Sequence, residues 1–189
     1  MIRSFVFAAI VLTSAGCVSV LPEPESPGAL YRISATAAYP AAQSVTVSEP
    51  SAPRVMAGQA LVVEDAGGAL RLLRGYEWSG RFTRLMQLAL VDSLGEKAQL
   101  PETGIAAPYN LSVRVRFAGL MAGENGEEAR CEVSWAVIDT AKRALEASGD
   151  VRLATPAGAQ RALEMRRTAE RCVAEVADAV AKALETSAS

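Results

Sequence analysis

At 189 residues, with 19 basic and 21 acidic side chains, the chain is long enough for one domain with a real core and has a formal net charge of −2. That balance excludes the clustered Lys and Arg of a nucleic-acid-binding surface. Histidine is absent, which removes the commonest general base and metal ligand, and only two cysteines accompany Cys17, too few for a structural zinc site.

Met1 to Gly16 have the layout of a secretory signal peptide. Arg3 supplies a positive start, Phe5 to Leu12 an eight-residue apolar run, and Ser14-Ala15-Gly16 the small residues of a cleavage site. The run is far shorter than the roughly 20 residues a membrane-crossing helix needs. Cys17 follows at once, and the stretch resembles a bacterial lipobox, in which the thiol receives a diacylglyceryl group and becomes the first mature residue. Ser14 stands where leucine is common, and Ser14 with Gly16 would also suit ordinary signal peptidase, which releases a soluble protein. Neither Val18 nor Ser19 is the aspartate that tends to hold lipoproteins at the inner membrane. The expected location is therefore the outer membrane, lipid-anchored and facing the periplasm.

Residues 17–28 read as a lipidated tether, with Pro22, Pro24 and Pro27 among Glu23, Glu25 and Ser26. Such a stretch extends about 3.1 Å per residue, so roughly 30 Å in all. One domain, residues 29–189, follows. Leu30 to Ile33 and Ser44 to Ser48 are strand-like, and Ala60–Val63 with Ala69–Leu73 form a hairpin around Asp65-Ala66-Gly67-Gly68. Ser79 to Leu94 is a helix, with Phe82, Leu85, Met86, Ala89, Leu90 and Leu94 on one face, Ser79 as N-cap and Gly95 as stop.

A strand meander comes next. Leu111, Val113, Val115 and Phe117 alternate with polar residues, as do Cys131, Val133, Trp135 and Val137; Asn125-Gly126 signals a turn longer than two residues between them. Leu145 to Leu153 is the third strand, with a bulge or weak spot at Gly149-Asp150. Thr155-Pro156 then offers an N-cap and first turn for a long helix within Ala157–Glu185, whose apolar stripe includes Met165, Cys172, Val176 and Leu184. Cys131 and Cys172 fall on the apolar sides of their elements. A disulfide between them and two separate buried thiols both remain open.

The expected fold is α+β: a β-rich N-terminal half, a helix, a three-strand meander and a C-terminal helix, forming a single largely antiparallel sheet with two helices packed on one face. Catalytic motifs do not stand out. There is no Gly-x-Ser-x-Gly, no glycine-rich phosphate loop, and no motif around Lys97, Lys142 or Lys182. Glu124, Glu127 and Glu128 read as an acidic hairpin tip rather than an acid–base pair. The expectation is a non-enzyme with no cofactor beyond the covalent lipid on Cys17.

Tyr76-Glu77-Trp78-Ser79 and the helix behind it, with its Leu-Met-Gln-Leu-Ala-Leu-Val-Asp-Ser-Leu core, resemble the ABC-type transport auxiliary lipoprotein family. The lipobox, the proline tether running into Leu30-Tyr31-Arg32-Ile33, the Tyr109-Asn110-Leu111 strand and the Ala-rich last helix agree in order. Glu77 replaces the basic residue that often precedes the family tryptophan. The resemblance implies a component of MCE-type systems that move lipid between inner and outer membranes. Its implied partners are an MCE-domain protein, the ABC permease and ATPase, outer-membrane lipid, and further copies of the chain. Two other functions stay open: a scaffold or assembly lipoprotein for an outer-membrane protein, and a soluble periplasmic lipid carrier.

Tyr76 and Trp78, with Arg81 and Arg84, are the candidate docking residues, since aromatics and arginine anchor interfaces. The competing reading makes the aromatics core staples and the arginines part of a solvated face balanced by Glu64, Asp65 and Glu77.

Overall fold

The structure, a computed structural model, describes residues 28–124 and 126–187. The signal segment, Cys17, the tether as far as Pro27, Asn125 and residues 188–189 lie outside the described residues. In chain order the strands are β1 (Ala29–Tyr31), β2 (Val45–Val47), β3 (Ala60–Glu64), β4 (Leu70–Trp78), β5 (Ala98–Gln99), β6 (Tyr109–Gly123), β7 (Gly126–Asp139) and β8 (Ala144–Pro156). The helices are α1 (Phe82–Leu94), between β4 and β5, and α2 (Arg161–Thr186), after β8.

The meander expected from alternation is present: β6 pairs antiparallel with β7, and β7 with β8. Pairing runs to Gly123 opposite Gly126, so the hairpin loop is two residues, shorter than its composition suggested. Inward residues Leu111, Val113, Val115, Cys131, Val133 and Val137 are almost completely buried. Phe117 breaks the expected alternation. A bulge between Val115 and Phe117 takes up Arg116, so Phe117 pairs with the outward Glu132 while Ala118 and Leu120 take over the inner face. Phe117 instead joins Met56 and Val62 in a separate small cluster.

The sheet is mixed, not largely antiparallel as expected. β6 accepts two short parallel partners on its other side, β2 at its start (Val45 opposite Tyr109) and β3 at its end (Val63 opposite Leu120). β2 continues in parallel to β5, and β3 leads to antiparallel β4 and then parallel β1. Parallel neighbours need long crossover connections, so their pairing is non-local and leaves no trace in strand-by-strand alternation.

Both helices close over one layer. The faces of α1 and α2 share a single core with the inner residues of β2, β6 and β7. Each fully buried Leu there, such as Leu90, Leu111 or Leu184, is worth roughly 1.5–3 kcal/mol against exposure. Gln87, on the buried face of α1, donates from Nε2 to the Val47 carbonyl at 2.8 Å, pinning the helix to β2.

The helix starts differ from expectation. Ser79 lies ahead of α1, and its N–H donates to the Tyr31 carbonyl at 2.7 Å. Helix α1 starts without a side-chain cap; the Phe82 N–H donates to the Gly58 carbonyl at 2.9 Å, and Thr83 donates to Glu49 at 2.6 Å. Gly95 does end it, at φ 75°. Thr155 and Pro156 belong to β8, where Pro156 faces Glu128, and α2 begins only after Gly158 turns the chain. Proline is tolerated there because β8 is an edge strand with no further neighbour to receive its missing N–H.

Two glycines mark close approaches. A Cβ on Gly119 would lie 2.5 Å from the Val62 carbonyl oxygen, so this position lets β3 reach β6. At Gly149 a Cβ would lie 3.0 Å from the Trp135 indole, which occupies the space. Gly149 is therefore a seat for Trp135, and the actual register shift in β8 falls between Leu145 and Ala147.

Candidate functional site

The described surface has one edge where apolar side chains face solvent together. In β4, Leu72 pairs with Val62 and Leu70 with Glu64; in β1, Leu30 pairs with Glu77, which in turn pairs with Ala60. Paired and alternate residues share a face, so Leu30, Leu70 and Leu72 lie with Val62 on the side of the sheet away from the helices. Leu30 is 59 % exposed, Leu72 56 % and Leu70 42 %. The small cluster of Met56, Val62 and Phe117 thus lies on the same face as leucines that none of the described residues covers.

The other side of the same edge carries tyrosines. Tyr31 and Tyr76 approach with ring centroids 6.2 Å apart. With Leu73 they form one wall of an open groove of about 440 Å³, and Gln160, Arg161 and Leu163 at the start of α2 form the other. Arg161 is fixed there by a two-point contact with Glu127, including Nη2 to Oε1 at 2.6 Å. Glu128 meanwhile faces Arg130 at 3.4 Å. Glu127 and Glu128 therefore serve as ion-pair partners, Glu127 holding the start of α2 in place.

Irregular backbone builds this edge. Between Ala60–Glu77 and Val62–Leu72, residues 73–76 of β4 stand opposite Leu61 alone, and Gly75 takes φ 78°. Such a bulge re-aims the side chains after it, putting Tyr76 toward the groove and Trp78 toward the core.

Of the four predicted docking residues, the structure keeps one at the edge. Tyr76 is exposed there. Trp78 is 3 % exposed and packs on Phe82 with centroids 5.3 Å apart, a core staple and a correction to the docking reading. Arg81 pairs with Glu49 at 3.0 Å, and Arg84 with Glu102 at 3.0 Å and Gln87 at 2.6 Å. Arg71 pairs with Asp65 at 3.0 Å. The basic stretch is largely a balanced, solvated face. Leu30, Leu70 and Leu72 were missed, although Leu70-Arg71-Leu72-Leu73 put leucine on both faces of a short strand, a pattern that leaves one face unburied at a sheet edge.

Cys131 and Cys172 are brought near each other as two free thiols, not joined in this structure, and both are at most 1 % exposed. The neighbouring Cys172 thiol, reinforced by burial, pushes the Cys131 thiol well above its usual 9.0. Among the described residues no three His, Cys, Asp or Glu side chains converge as a metal site would require, and no helix is long and apolar enough to cross a membrane.

The described residues form an α+β fold with an open surface groove and an apolar sheet margin. This chain belongs to the family of ABC-type transport auxiliary lipoprotein components, whose family model matches residues 30–181. A comparison with curated proteins finds no match. Among solved structures, a Xanthomonas campestris protein is similar at 21 % identity and TM-score 0.65, covering 85 % of this chain and 95 % of that one. An uncharacterised protein follows at 13 % identity and TM-score 0.60, with coverages of 80 % and 98 %. PelC from Paraburkholderia phytofirmans, a dodecamer in its crystals, is at 14 % identity and TM-score 0.49, with coverages of 82 % and 97 %. At these identities the likeness is one of fold.

Proposed function

We propose that this chain is a non-catalytic, lipid-anchored subunit of an MCE-type ABC system moving lipid between the inner and outer membranes. Acyl chains on Cys17 hold it to the outer membrane, facing the periplasm. The β1–β4 edge is the surface that grips the MCE-domain protein. The observation that carries this reading is the edge itself: Leu30, Leu70 and Leu72 are large apolar residues exposed together on one face of it, with Tyr76 exposed on the other. Membership of an ABC transport auxiliary family supports the partner class.

The test is crosslinking in intact cells, followed by affinity recovery from membranes. Wild-type protein is expected to bring down an MCE-domain protein. Leu72→Glu combined with Leu30→Ser should lower that recovery at least about tenfold, the loss expected of a hot-spot pair. Recovery of a barrel protein alone would replace this reading with a scaffold role, and lipid co-purifying at about one molecule per chain would replace it with a carrier. Cys17→Ser should move the protein from the membrane to the soluble fraction.

A further inference from the structure

The core holds a pair of nucleophilic side chains that the docking function does not use. Cys131 sits mid-strand in β7, between Ala118 of β6 and Leu153 of β8, and Cys172 lies on the face of α2 that covers that strand. Neither thiol reaches solvent, the two are unbonded in this structure, and they lie near enough for Cys172 to affect the ionisation of Cys131. A lone buried cysteine behaves as a small hydrophobe. Two neighbouring thiols across the helix–sheet interface, in a chain proposed above to be an exported lipoprotein, are a different case, because disulfides form and persist outside the cytoplasm.

We propose that Cys131 and Cys172 are joined by a disulfide in the exported protein, tying α2 to the middle of the sheet. It forms by exchange with a disulfide-bearing oxidant. One cysteine, as thiolate, attacks a sulfur of that oxidant and displaces the other as thiolate, leaving a mixed disulfide. The second cysteine attacks the protein sulfur of the mixed disulfide and expels the oxidant's remaining sulfur. The protein loses two electrons and two protons, and the oxidant's disulfide becomes a dithiol.

Burial sets the order of events. Exchange needs a thiolate and access, and the closed core denies both. The bond therefore forms while α2 is still off the sheet, and closure afterwards seals it from reductant. It then links strand to helix across 40 intervening residues, a long loop whose closure removes much freedom from the unfolded chain.

The experiment uses the full-length protein taken from membranes, alkylated at lysis, denatured without reductant and mapped by peptide mass. Cys131 and Cys172 are expected in one linked peptide pair, carrying alkyl groups only after reduction. Both found alkylated without reduction would overturn the proposal. Cys17 is read in the same map, so an alkylated Cys17 would sink the lipid-anchor reading while leaving the pair's result intact. In the folded protein, dithiothreitol should open the bridge only once urea releases α2. Rapid opening in buffer would refute the sealed site.

Discussion

Along β6 and β7 nearly every inward side chain is buried, and α2 covers them; along β1 and β4, Leu30, Leu70 and Leu72 face water. Both regions are rich in apolar residues, so composition does not distinguish them. Position in the sheet does. β6 and β7 are flanked on both sides, whereas β1 is an edge and β4 reaches it through an irregular stretch. The same residue type therefore builds stability in one region and a surface for contact in the other. Mutations should separate the two roles.

The largest expected effect belongs to the core of the meander. Leu120→Ala should cost about 3 kcal/mol, because the side chain is fully buried and its neighbours on β3 and β7 cannot fill the space. Urea unfolding at unchanged m-value would show it. Gly119→Ala, beside it, is expected to cost about 2 kcal/mol, since its Cβ would meet the Val62 carbonyl oxygen at 2.5 Å and push β3 from β6. A neutral result would mean that β3 shifts freely, and that the missing Cβ of Gly119 is not what seats β3 against β6.

At the edge the expectation reverses. Leu72→Ser should stay within about 0.5 kcal/mol of wild type in the same urea experiment, since a side chain already in water loses little burial. A loss near that of Leu120→Ala would mean that Leu72 is covered within the domain and would remove the docking surface. Combined with reduced partner capture, the small stability change would mark Leu72 as a contact residue.

How much of this was legible in sequence follows the same division. The meander could be read because its neighbours in sequence are neighbours in space, so alternation alone gives three strands and their inward faces. The Arg116 bulge was hidden because Phe117 is apolar and fits either phase. The parallel insertion of β2 and β3 against β6 depends on contacts between distant segments. Trp78 could be read either way because aromatics before a helix suit both an interface and a core, and the bulge at residues 73–76 decides which way it turns. The meeting of Cys131 and Cys172 was readable as a shared layer, since each sat on the apolar side of its own element.

The smallest expected effects lie in two turns of similar design, one in each region. In the β3–β4 turn, Asp65 accepts hydrogen bonds from the N–H groups of Gly67 and Ala69, both at 3.0 Å. In the β7–β8 turn, Asp139 accepts from Ala141 at 2.9 Å and Lys142 at 2.8 Å. The bond from Ala69 does most to hold the Asp65 carboxyl below its usual 3.8, and that from the Lys142 backbone does the same for Asp139. A depressed carboxylate contributes stability above its unfolded pKa and loses it as the pH falls through the lower folded value. Asp65→Asn and Asp139→Asn keep the acceptor oxygen and remove the charge. Each should therefore be less stable than wild type at neutral pH, with the gap closing as the solution is acidified below about pH 4. The Asp139 side chain is 11 % exposed against 34 % for Asp65, so added salt should narrow the Asp65 gap more. Equal salt sensitivity in the two variants would show that the meander turn is as open to solvent as the edge turn, and the contrast between the regions would then not extend to their loops.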